Sequence, residues 1–143
     1  MYFSFLLLHS WMRWVVIIAA VLVFLRGARG INMTTRVFVT ALDIQMLLGL
    51  ILYFALSPST RAAFQNMGAA MSNPTLRYWS VEHLAGMILA VAAAHIGRTR
   101  MRRAADNGAR YKIGAMFVGI ALVLILISIP WPGMPAGRPF FRF

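Results

Sequence analysis

Three histidines and three acids carry most of the side-chain chemistry this sequence offers. They are His9, His83 and His95, with Asp43, Glu82 and Asp106. A histidine can ligate a metal through a neutral ring nitrogen, relay a proton, or hydrogen-bond between packed helices. The stretch "YWSVEHLAGMILAVAAAHIGR", residues 78–98, sets Glu82 and His83 near one end of an apolar run and His95 near the other. Ionisable groups at membrane depth are costly and mark functional positions. Arg13 is the only arginine well inside an apolar run.

The elements that must position these residues are apolar helices. The chain has 143 residues and is 61% hydrophobic, above the apolar share of a soluble domain. Four apolar runs stand out, at about 5–25, 37–56, 78–97 and 112–130, each near the roughly 20 residues that span a bilayer. Backbone in lipid must satisfy its own hydrogen bonds, so the expected fold is all-α. We expect one domain: an integral membrane four-helix bundle. An outer loop, 57–77, and a proline-rich outer tail, 130–143, complete it. In the loop, Phe64, Met67 and Met71 recur at helical spacing, and Asn73-Pro74 reads as a helix start. Asn107-Gly108 reads as a stop for a third helix that runs to about residue 105.

Charge predicts the orientation. The net charge of +11 comes from 13 arginines and Lys112 against three acids. In a soluble domain this excess would suggest nucleic acid. Here nine basic residues cluster in two linkers, as topology signals do: Arg26, Arg29 and Arg36, then Arg98, Arg100, Arg102, Arg103, Arg110 and Lys112. The opposite side carries Arg61, Arg77, Arg138 and Arg142. The positive-inside rule therefore places both termini outside the cytoplasm. Trp11, Trp14, Trp79 and Trp131 all fall at the outer ends of spans, as an aromatic belt would. The first run lacks a basic leader and a small-residue cleavage site, and reads as a retained helix.

In this topology the first and third spans run the same way. His9 and His83 then stand at the same depth, roughly 6–8 Å below the outer interface. Two neutral imidazoles facing each other from different helices suit axial ligation of a haem iron. His83 shares a helical face with Gly86, Ala90, Ala94 and Gly97, small enough to leave clearance for a porphyrin. Arg13, one turn below His9, and Arg77, at the outer mouth, suit haem propionates. Arg13 suits Glu82 equally well. The same small residues also form a small-xxx-small face that packs helices with no cofactor, and the histidines then serve as interhelical contacts.

His95 follows His83 by about 18 Å along the helix and cannot share its site. It falls on the cytoplasmic half with Asp43 and Arg98. The alternatives for this inner polar cluster are a proton or quinone-headgroup site and a plain interhelical hydrogen bond. Gln45, Gly49 and Tyr53 recur at four-residue spacing and read as packing. No cysteine is present, which excludes disulfides, thiolate metal sites and thioether haem attachment by this chain. Phosphate loops, Ser/His/Asp arrangements and paired carboxylates are also absent.

The pieces "LLLHSWMRWVV", "DIQMLLGLILYFALSP", "YWSVEHLAGMILAVAAAHIGR" and "SIPWPGMPAGRPFFR" together resemble small bacterial four-helix membrane proteins described as cytochrome b-like. That resemblance covers most of the chain. It implies haem b ligation, here by His9 and His83. A second inner histidine is missing, so one haem at most is implied. A weaker likeness is to small four-helix protoporphyrinogen oxidases and copper-resistance membrane proteins, which open with a similar leucine-rich "LH". The oxidase type carries a lysine in its third span, whereas the only lysine here is Lys112. The expected function is electron transfer between a quinol pool or partner subunit and an outer acceptor. The expected partners are the bilayer and other membrane subunits, not nucleic acid. The competing class is a haem-free accessory subunit of a larger complex.

Overall fold

The computed structural model describes residues 1–141. Arg142, part of the charge count above, lies outside the described residues. All regular structure among them is helical. It comprises α1 (Tyr2–Ile51), α2 (Pro58–Gln65), α3 (Met67–Ser72), α4 (Pro74–Arg77), α5 (His83–Arg102) and α6 (Asn107–Ile127). Two π-helical turns, Leu52–Leu56 and Tyr78–Glu82, extend α1 and join α4 to α5. Three continuous helical stretches are long and apolar enough to cross a membrane: Tyr2–Leu56, Pro74–Arg102 and Asn107–Ile127.

The first stretch counts as one because its helical backbone is interrupted at a single residue. Helical backbone holds on both sides of Gly27, which alone departs, at φ 56° and ψ −153°. A side chain rarely adopts a positive φ, so glycine is the residue that lets the chain turn here. Residues 26–36, expected as a linker, are otherwise helical. The two arms of α1 fold back on each other. Gln45 hydrogen-bonds His9, on the other side of Gly27, which a straight helix would hold tens of ångströms away.

Capping chemistry sets most of the remaining boundaries. Ser57 and Asn66 cap α2 and α3, and the Asn73 carboxamide accepts from the backbone N–H groups of Thr75 and Leu76 with Pro74 in the first turn. The inner connection differs from expectation. Helix α5 stops at Arg102, and Asn107-Gly108 open α6 rather than ending its predecessor. The reason is Asp106, whose carboxylate accepts from the Ala109 N–H and supplies the N-cap.

The core runs along the whole bundle. Val16, Ala20 and Val23 of the first arm meet Phe38 and Leu42 of the second, Ala90 and Ala94 of α5, and Val118, Ala121 and Ile125 of α6. The outward surfaces are apolar too, with Ile18, Leu25, Leu47, Leu89, Val123 and Ile127 exposed. An apolar exterior of this extent suits lipid rather than water. At one end the tail, residues 128–141, turns without forming a helix and lies over the tryptophans. The Trp14 ring stacks on Phe141, Trp131 meets Phe140, and the Arg138 guanidinium covers Trp79. The arginine-rich linkers occupy the opposite end.

Candidate functional site

His9 and His83 come together at the tryptophan-rich end. Their ring centroids are 6.2 Å apart, with the planes nearly perpendicular at 77°. One ring comes from the first arm of α1. The other is the first residue of α5, immediately after a π-helical turn, a feature frequent at functional sites. The second π-helical turn lies at the same end, and the Tyr53 hydroxyl in it donates to the Ser80 carbonyl at 2.7 Å. That bond ties the two irregular turns together beside the histidines.

The ring nitrogens are unequally served. His83 Nδ1 lies 2.7 Å from the Ser128 carbonyl oxygen. A carbonyl can only accept, so Nδ1 carries the proton, and in the neutral ring the lone pair is on Nε2. Among the described residues no hydrogen bond reaches that Nε2. A backbone carbonyl on the far nitrogen is also the arrangement that orients metal-binding histidines. The Tyr78 hydroxyl donates to the same Ser128 carbonyl. His9 is held by Gln45, whose amide donates to the His9 backbone carbonyl at 3.1 Å and lies 3.4 Å from its Nε2. The second contact is beyond the usual hydrogen-bond range. His9 Nδ1 is buried with no partner among the described residues.

Gly49 explains how the His9 ring fits. A Cβ there would stand 3.2 Å from His9 Cε1, so glycine lets the imidazole lie against the second arm. Gln45, Gly49 and Tyr53 thus belong to the site, although their spacing alone reads as packing. What could have singled them out is that Gln45 and Tyr53 are polar groups on one face of an otherwise apolar helix.

A cavity of about 120 Å³ opens beside the histidines. One water takes about 30 Å³, so this is more than a packing flaw. Its wall includes His9, Arg13, Gln45, Tyr53, Trp79, His83, Met87 and Arg138. Buried atoms without partners gather there: His9 Nδ1, Gln45 Oε1 and Trp79 Nε1. Buried polar groups are normally satisfied, and each one left unmet costs about 1–3 kcal/mol. Such a wall calls for an occupant that hydrogen-bonds or coordinates.

The cavity does not lie along the small face of α5. Ser128 sits against Gly86, where a Cβ would meet its Oγ at 1.9 Å, and Phe117 sits against Gly97, where a Cβ would meet the Phe117 Cβ at 2.3 Å. That face packs on α6. The space beside His83 is instead on its Leu84–Met87 side. The arginines divide. Arg77 forms an ion pair with Glu82 at 2.7 Å, away from the cavity wall. Arg13 donates to the Phe140 carbonyl at 2.7 Å and lies over Trp14, while its side chain also lines the cavity. Arg138 lines the cavity as well, from the tail.

At the arginine-rich end, His95 Nε2 and Asp43 Oδ1 are 2.8 Å apart, and both side chains are about half exposed, at 50% and 46%. Arg98, one turn along α5, makes no ion pair with either among the described residues. The two clusters are separate, one at each end of α5. No family model, curated protein or solved structure matches the chain.

Proposed function

We propose that the chain is a multi-pass protein of the bacterial inner membrane, with four spans and both termini outside the cytoplasm. In this reading the two arms of α1 each cross the bilayer, and its tryptophan-rich end holds a single b-type haem between His9 and His83. The protein would pass electrons between a quinol pool or partner subunit and an acceptor on the outer side.

One observation carries the reading: two imidazoles from different helices face each other at 6.2 Å, and neither Nε2 holds a hydrogen bond of normal length. Two imidazoles sharing one metal, each bonded at about 2 Å, have ring centres about 6 Å apart. The donor set fits a haem iron: two neutral nitrogens and no thiolate. Ser128 orients His83, Gln45 holds His9 near its own backbone, and Arg13 and Arg138 are the cations on the cavity wall. A bound haem would supply one-electron chemistry, and the apolar helices around it would exclude water and tune its potential.

The test is a visible spectrum of the purified chain in detergent after reconstitution with haem. A Soret band with a sharp α-band on reduction is expected. Their absence would reject the haem. A second reading, a haem-free accessory subunit, is favoured by Gly86 and Gly97, whose small faces are filled by Ser128 and Phe117 rather than left clear. Recovery of the chain only within a larger complex, with no haem of its own, would support that reading.

A further inference from the structure

At the arginine-rich end, the last turns of α5 form a groove lined by His95, Ile96, Thr99, Arg100 and Arg103. His95, Thr99 and Arg103 recur every four residues, with Ile96 and Arg100 in the adjacent row, so one face of the helix carries all five. We propose that this groove binds the headgroup of an anionic phospholipid, its phosphodiester held by Arg100 and Arg103 and its chains lying along the apolar surface above. The proposal rests on the helices crossing a bilayer and not on the haem.

Four observations favour that ligand. First, the groove stands where an apolar helix gives way to its charged end, at headgroup depth. Second, Ile96 in the groove wall is exposed, as are Ile88 and Leu89 earlier on the same helix, apolar side chains that suit acyl chains. Third, the acid beside the groove is engaged: Asp43 Oδ1 lies 2.8 Å from Nε2 of His95, a groove residue. A half-exposed polar pair next to lipid also requires polar cover, which a headgroup provides. Fourth, the Arg100 guanidinium lies over the Phe117 ring at 5.4 Å, which holds the side chain in place before any ligand arrives.

The ordinary role of these arginines is to compensate the negative end of the α5 dipole and to set topology. Any basic residue at this end would serve for that. A defined site differs, because it depends on the two that line the groove. The carboxyl end of a helix repels an anion, so side chains must supply the binding.

The experiment is native mass spectrometry of the detergent-solubilised chain with added phosphatidylglycerol and phosphatidylcholine. The wild type is expected to retain one phosphatidylglycerol in preference to phosphatidylcholine. The Arg100→Gln/Arg103→Gln double variant should bind it about 25-fold more weakly, from about fivefold for each arginine near a membrane surface. The Arg29→Gln/Arg102→Gln variant removes the same charge from exposed positions at the same end and should retain the lipid. Circular dichroism must show equal helicity in both variants; if the groove variant unfolds, Arg100→Lys/Arg103→Lys replaces it, expected to weaken retention by disrupting the guanidinium contacts. Equal retention of the two lipids, or equal loss in the control variant, overturns the proposal. So does displacement of the lipid by millimolar inorganic phosphate that then stays bound, since the site would then serve a soluble anion.

Discussion

His83 Nδ1 donates to the carbonyl oxygen of Ser128, 2.7 Å away at the end of α6. One hydrogen bond thereby joins the start of one helix to the end of the next and leaves the other ring nitrogen without a hydrogen bond among the described residues. That carbonyl is available because Ser128 is the C-cap of α6, past the last full turn, where carbonyls lose their intrahelical partners. The imidazole at the candidate site is oriented by a helix terminus rather than by an acid.

His9→Ala and His83→Ala are each expected to abolish six-coordinate low-spin absorption in the haem-reconstituted protein. Absorption and electron paramagnetic resonance spectra check this. If both variants keep the wild-type spectrum, the ligands lie elsewhere. Tyr78→Phe should leave ligation intact, because its hydroxyl shares the Ser128 carbonyl without being needed to orient His83.

Two glycines on α5 should respond unequally to alanine. At Gly86 the new Cβ meets the Ser128 hydroxyl, which can rotate away. At Gly97 it meets the Phe117 Cβ at 2.3 Å, which no rotamer change can move. Gly97→Ala is therefore expected to destabilise the fold by about 1–3 kcal/mol, and Gly86→Ala by less. Thermal unfolding in one detergent measures the order. The reverse order would mean that α5 and α6 do not cross closely at Gly97.

The Asp43–His95 pair is half exposed, and such pairs contribute little in a polar solvent. Asp43→Asn should lower stability in detergent by under about 1 kcal/mol. A loss of several kcal/mol on thermal unfolding would show that the pair is covered in the native assembly.

Topology can be read by cysteine labelling, since the chain has no cysteine of its own. Single Arg29→Cys and Gly108→Cys variants should react with a membrane-impermeant maleimide only from the cytoplasmic side. Ser72→Cys and Met134→Cys should react only from the other side. Opposite labelling of positions 29 and 108 would rule out two crossings by α1.

Much of the site was legible because membrane helices read as rulers. Apolar run length and a fixed rise per residue place His9 and His83 at one depth, and His95 with Asp43 at another, without any tertiary information. The cap at Asn73-Pro74 was legible for a similar reason, since it depends on residues within one turn. Asn107-Gly108 was misread because an Asn-Gly pair serves a helix stop and the opening of a new helix equally well, and Asp106 decides between them.

The sequence by itself determined an all-helical chain of membrane-length apolar segments, with its histidines sorted by depth. Both follow from local chemistry: backbone hydrogen bonding in an apolar medium and the helical rise. Only the tertiary structure decided which way each side chain faces and what fills the space beside it. Gly27 could be recognised as a turn only from its backbone angles. Gln45 and Gly49 became part of the His9 site only once the two arms of α1 closed on each other. The small face of α5 was ambiguous in sequence because a porphyrin and a neighbouring helix ask for the same clearance. Ser128 and Phe117 resolve it in favour of α6, since they come from a distant segment whose approach no local pattern encodes.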